Sequence, residues 1–144
     1  EKGHVAGGEL DGRTTADDLG LGRMQSGRKE FIGSRMIDRE AFLEATRPKF
    51  VGLVPVDGRT RIEPGAILVE NPDGAVPMPK LGHVSASAYV SPTLGHPISL
   101  GFCAQGRERI GETVWALSPL FGQRLRVRLA DPVFYDPEGG RQRG

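Results

Sequence analysis

The chain has 144 residues, 38% of them hydrophobic, and 19 lysines and arginines against 18 aspartates and glutamates, for a net charge of +1. That length allows one domain, or one small domain with part of another, and no apolar run approaches the roughly 18 residues of a membrane-spanning helix. The charge balance offers neither the basic excess nor the basic stripe that marks nucleic-acid or membrane-surface binding, so neither is expected as a partner.

A lone cysteine, Cys103, cannot form an internal disulfide, and its place in the apolar run 98–104 reads as a buried, reduced thiol. These features fit a cytoplasmic protein. The chain opens "EKGHVAGG" with no initiator methionine and no signal-peptide pattern. Residue 1 therefore reads as an internal residue of a longer polypeptide, with a processed terminus as the competing explanation.

Residues 1–35 are glycine-rich and charged, with only short apolar pieces. Within them, Thr14–Gly20 has the makings of one helical turn: a threonine to cap it, Asp17 and Asp18 at its positive start, and Gly20 to stop it. Such a stretch cannot bury enough area to stand alone and is expected to belong to a preceding domain. The best helix signal is "IDREAFLEAT" (37–46), with Asp38 as cap, Ile37, Phe42 and Leu43 on an apolar side, and Arg47-Pro48 as its end.

From residue 49 the period changes. "KFVGLVPV" (49–56) places Phe50, Gly52, Val54 and Val56 on one face, and Asp57-Gly58 turns the chain. Further strands are expected at 66–70, 81–90, 98–104, 112–118 and 123–135, with a turn at Asn71-Pro72-Asp73-Gly74. In the last of them Leu125, Val127 and Leu129 alternate with Arg124, Arg126 and Arg128, giving one buried and one cationic face. "SPTLG" (91–95) has hairpin chemistry: Pro92 presets φ, Ser91 can bond a nearby N–H, Gly95 can take positive φ, and Pro97 suits the first position of the next strand. On these grounds Ser91 reads as a turn residue. About six short strands with no helix between them favour a small antiparallel barrel, so the fold class is mainly β.

The histidines His4, His83 and His96 lack zinc spacing, the Asp-Gly turns lack calcium-loop spacing, and Ser91 lacks a nucleophile-elbow setting.

Several strings carry more information in order than alone. "FIG" (31–33) follows Arg28-Lys29 and precedes the expected helix; then come "KFVGLVPVD", "MPKLGHVSASAYVSPTLGHPISLGF", "IGETV" and "DPVFYDPEG". This series resembles the C-terminal part of the folate-dependent aminomethyltransferase family, which includes the glycine cleavage T-protein. Its fuller wording is similar to the alpha subunits of heterotetrameric sarcosine oxidases. The resemblance implies that residues 1–47 end an α+β folate-binding domain with a linker helix and that 48–144 form the C-terminal β-barrel domain. It implies a parent enzyme that oxidatively demethylates sarcosine to glycine and hydrogen peroxide and passes the one-carbon unit to tetrahydrofolate. FAD, FMN and NAD would be bound elsewhere in that assembly. The implied partners are the upstream part of the same subunit and the beta, gamma and delta subunits.

On the same resemblance Glu1 of "EKG" matches a glutamate that bonds the pterin ring. A carboxylate suits this, since it accepts two parallel N–H bonds from an amino-pyrimidine edge. Arg28 and Lys29 match basic residues that approach the folate tail, and Arg141, with Arg143 as the alternative, matches an arginine that some members bring from the chain end. The family's acid–base aspartate would lie upstream of residue 1, so no catalytic residue is expected here and the piece alone is expected to be inactive. Where relatives usually have tryptophan after "LG", Arg23 follows Leu21-Gly22. A glycine-cleavage-type aminomethyltransferase and a non-catalytic barrel module for domain closure and subunit assembly remain the alternatives.

Overall fold

Alternating apolar positions after Pro48 give six strands: β1 (Pro48–Pro55), β2 (Ile67–Val69), β3 (Gly82–Val90), β4 (Pro97–Ala104), β5 (Thr113–Ser118) and β6 (Gln123–Ala130). The computed structural model describes residues 1–143, apart from the side chains at positions 86, 87 and 142. The strands pair antiparallel in a closed barrel, in the order β1-β4-β3-β2-β5-β6. Closure is made by β6 on β1, with Gly52 opposite Ala130 and Pro55 opposite Val127. Val51, Leu53, Leu68, Val84, Cys103, Val114, Val127 and Leu129 fill the interior. Each fully buried aliphatic side chain of this kind contributes roughly 1.5–3 kcal/mol. Cys103 is completely buried, as its apolar run implies, and burial pushes its thiol pKa up.

The expected strands 66–70, 81–90, 98–104 and 112–118 match β2 to β5 within a residue or so at each end. β1 departs from its alternation, because both of its faces are covered. Val51 and Leu53 point into the barrel, while Phe50 joins Leu100 and Phe102 in a second cluster beneath Val5, Leu19 and Phe134. The outer wall of β1 and β4 is thus roofed by the segment before the barrel and the tail after it. Gly52 makes this close approach possible, since a Cβ there would lie 2.5 Å from both the Asp131 carbonyl oxygen and the Phe134 ring.

Two expected elements are shorter in the structure. The helix at 37–46 is instead two single turns, α1 (Ser34–Ile37) and α2 (Glu40–Leu43). Asp38 ends the first turn rather than capping a longer helix; Arg39 at the second N-cap supplies no side-chain bond, and Leu43 is exposed. With no cap and no packed apolar face, so short a helix does not propagate. The last strand stops at Ala130 rather than 135: Asp131 Oδ1 accepts the Val133 N–H at 2.8 Å and Pro132 has no N–H to donate, so the ladder ends.

The helical turn expected at Thr14–Gly20 is present as a turn. Thr15 N–H donates to Asp18 Oδ2 at 3.0 Å, and Asp18 N–H donates to Thr15 Oγ1 at 3.1 Å, the reciprocal arrangement of a capping box. Gly20, at φ +80°, closes it. This turn docks through charge on β1 and the residue just before it. Arg47 and Lys49 both bond the Asp18 carboxylate, whose side chain is 2% exposed, and Lys49 also reaches Asp17 at 2.7 Å. Burial alone would raise the Asp18 carboxyl, but hydrogen bonds from Arg47 and Lys49 outweigh it and hold the group well below the usual carboxylate range.

Candidate functional site

The turn between β3 and β4 is built as its sequence implies. Leu94 N–H donates to Ser91 Oγ at 3.0 Å, Gly95 N–H donates to the Ser91 carbonyl at 2.9 Å, Gly95 takes φ +73°, and Pro97 opens β4. The turn also does something its sequence does not announce. Ser91 Oγ–H donates to Glu1 Oε1, Thr93 N–H donates to the same oxygen at 3.3 Å, and Thr93 Oγ1–H donates to Glu1 Oε2 at 2.9 Å. The Ser91 hydroxyl, first among these donors, draws the Glu1 carboxyl below its usual value against the opposing effect of burial, and Thr93 adds to it.

The main chain of Glu1 is fixed as firmly. Its backbone nitrogen donates to Tyr89 Oη at 2.9 Å, and its carbonyl accepts N–H bonds from Phe134 and Tyr135 at 2.9 and 3.0 Å. Lys2 pairs with Asp136 at 3.1 Å and stands 5.5 Å from the centre of the Tyr135 ring. The Arg141 guanidinium lies 5.2 Å from that same ring centre. Glu1 and Arg141, more than a hundred residues apart in sequence, are therefore brought to one neighbourhood with Tyr135 between them.

Arg28 and Lys29 are placed differently. Both are exposed, in a loop shaped by their own N–H groups donating to Ser26 Oγ at 3.2 and 3.1 Å. No contact joins them to Glu1 or Arg141 among the described residues. Arg23, at the position where relatives carry tryptophan, is exposed in the 3-10 turn Gly22–Met24.

A cleft of about 390 Å³ opens elsewhere, between residues 8–18 and the β3–β4 wall; Arg13, Asp18, Arg47, Lys80, His83 and Phe102 are among its lining. Its ions are largely matched: Arg47 holds Asp18, and Arg13 holds Asp11, whose carboxyl is drawn down to about 2, chiefly by the Arg13 side chain. His83 stacks on Phe102 at 5.6 Å, and burial, with Lys80 nearby, lowers its pKa. None of Glu1, Arg28, Lys29 or Arg141 lines this cleft.

Glu1 and the Ser91–Thr93 turn form the site with the most directed chemistry. An ionised carboxylate offers about four acceptor positions. Three are taken by the turn, which leaves one on Oε2, so a ligand N–H has an acceptor whose charge and orientation are already set. The two-bond grip expected from the sequence, one N–H on each oxygen, would require the Ser91 hydroxyl or the Thr93 N–H to give way at Oε1. The sequence reading missed the role of Ser91 and Thr93. The available signal was two hydroxyls flanking a proline, one more than the turn requires.

Comparison with known proteins places the fold. Residues 49–136 match the family described as the glycine cleavage T-protein C-terminal barrel domain. The chain is 39% identical over 142 residues to the sarcosine oxidase subunit alpha of Rhizobium meliloti (strain 1021), spanning 98% of this chain and 14% of the relative. It is 40% identical over 149 residues to the subunit of the same name from Corynebacterium sp. (strain P-1), spanning 100% of this chain and 15% of the relative. It thus spans about one seventh of the length of these relatives. In three dimensions it is similar to the glycine cleavage system aminomethyltransferase T from Bartonella henselae, with a TM-score of 0.66 and 22% identity over 89% of this chain and 34% of that one, a likeness of fold. The six-stranded closed barrel and the family match agree, and the chain belongs to the glycine cleavage T-protein C-terminal barrel domain family.

Proposed function

We propose that this chain is the folate-binding, aminomethyltransferase-like part of a sarcosine oxidase alpha subunit. In that reading the parent assembly oxidises sarcosine with molecular oxygen, releases glycine and hydrogen peroxide, and transfers the one-carbon unit to tetrahydrofolate. The observation that carries it is the Glu1 carboxylate, ionised and fixed by the barrel turn with one acceptor position open. Tetrahydrofolate would supply the amines that capture the one-carbon unit. Glu1 would accept an N–H from the pterin edge, and Arg141 would pair with the carboxylates of the folate tail. Arg28 and Lys29 are the further cations for that tail. The flavins and NAD belong to other parts of the assembly, as do its remaining subunits.

The test is calorimetric titration of the full-length subunit, with its partners, with tetrahydrofolate. Glu1→Ala should weaken binding by roughly ten- to a hundredfold, the share of a hydrogen bond to a charged group. Unchanged affinity would remove the centre of the reading. Hydrogen peroxide release from sarcosine by the assembly separates it from a glycine-cleavage-type transferase.

A second reading has its own support. Leu21, Met24, Phe31, Ile32, Met36 and Leu43 are all exposed on the segment before the barrel. So much apolar surface suits a face covered by another part of the assembly, with the barrel as a closing element. The two readings are compatible in the full subunit and differ only in whether this piece touches the ligand.

A further inference from the structure

The donors on the β3–β4 turn exceed what the turn needs. Its backbone geometry is complete once Leu94 N–H reaches Ser91 Oγ, Gly95 N–H reaches the Ser91 carbonyl, and Ser91 N–H reaches the His96 carbonyl at 3.0 Å. Three donors remain: the Ser91 hydroxyl proton, the Thr93 hydroxyl proton and the Thr93 N–H. All three converge on one side chain, that of Glu1, 90 residues away in sequence. Ser91 is completely buried, so its hydroxyl has no water to bond in place of Glu1. A glutamate side chain left free would have several rotamers, and fixing it when the ligand arrives would cost affinity. Here that ordering precedes binding.

We propose that Ser91 and Thr93 are positioning residues for Glu1, through which the barrel sets the orientation and the charge of the carboxylate that receives the pterin N–H. The inference rests on the folate reading given above. It assigns the barrel a direct part in ligand recognition without placing any barrel side chain on the ligand.

The experiment is calorimetric titration of the full-length subunit, in its assembly, with tetrahydrofolate over a range of pH, using wild type, Glu1→Ala, Ser91→Ala, Thr93→Val and Thr93→Ser. Donors to the ionised form favour it, so removing one makes Glu1 protonate at higher pH. The titratable or charged groups around Glu1 are the Tyr89 phenol, Lys2, the Asp136–Arg141 part of the tail with Tyr135, and His96 at the end of the turn; none is altered in these variants. Ser91→Ala should weaken binding at neutral pH by about tenfold, and the acid limb of the affinity profile should move to higher pH. Thr93→Val should move the limb in the same direction, and Thr93→Ser, which keeps the hydroxyl, should restore it. Thr93 is exposed, so its variants decide the matter if Ser91→Ala fails to fold. An acid limb that stays put in the Thr93→Val assembly, while Glu1→Ala weakens binding as expected, overturns the positioning role and leaves the folate reading intact. A wild-type assembly that binds no tetrahydrofolate overturns the folate reading itself.

Discussion

The barrel and the 47 residues that precede it are stabilised in opposite ways. Residues 48–130 close a sheet around an apolar interior in which Val51, Leu53, Leu68, Cys103 and Val127 have no exposed surface. Residues 1–47 contribute few apolar anchors, chiefly Val5 and Leu19, and attach through ions and hydrogen bonds: Asp18 with Lys49, Asp17 with Lys49 and Arg107, Lys2 with Asp136, and Glu1 with the Ser91–Thr93 turn. Apolar packing is indifferent to pH and salt over ordinary ranges, whereas the attachment of the leading segment is not. One chain thus joins a scaffold that persists to a cover whose hold is tunable, and Glu1 lies where the two meet.

The largest effect that would test this contrast is in the barrel. Leu53→Ala, at a position with no exposed surface, should cost about 3 kcal/mol of global stability. Denaturant unfolding followed by tryptophan fluorescence reads it through Trp115 on β5, and the leading segment and barrel should be lost together. A smaller and regional effect is expected for Asp18→Asn. Breaking a fully buried ion pair costs roughly 3–5 kcal/mol, but Arg47 and Lys49 are each 15% exposed, so about 2 kcal/mol is the better figure. Hydrogen exchange should show residues 1–47 opening while β1–β6 stay protected; global unfolding at the same midpoint as Leu53→Ala would erase the distinction between the regions.

Acid should reproduce that regional opening in the unaltered chain. The Asp18 carboxyl, and to a lesser degree those of Asp17 and Asp136, titrate below their ordinary range in the folded state. A depressed carboxylate contributes its stability above the unfolded pKa and loses it as pH falls through the folded one. Limited proteolysis should therefore cut within 1–47 increasingly below about pH 4, before the barrel is cut. The smallest effect serves as the reference. Arg124 and Asp73 form a 2.6 Å pair on the barrel surface with both side chains more than half exposed, and Arg124→Ala should change stability by no more than about 0.5 kcal/mol.

Most of the barrel was legible because its strands obey local rules. Proline, glycine and Asp-Gly pairs punctuate them, and Arg124, Arg126 and Arg128 alternate with half-buried Leu125 and buried Val127 and Leu129 along β6. The parts that misled are those decided by distant neighbours. "IDREAFLEAT" has an apolar side, yet no surface of the barrel meets Leu43, and two separated turns result. "KFVGLVPV" reads as a strand with Phe50 and Gly52 on one face, but nothing local shows that Phe134 comes from the other end of the chain to cover that face. The candidate site was legible in its ligand-like residue and not in its supports. Glu1 and Arg141 stood out by resemblance, but nothing local to "SPTLG" reveals that its spare hydroxyls serve a carboxylate 90 residues away.

Pairing of β6 with β1 also limits how this domain can meet others. Where these two strands pair, no row of idle amides is left for a stranger's backbone to extend. Whatever docks on that seam must do so side chain against side chain, which makes recognition there a matter of surface fit and charge rather than of shared backbone.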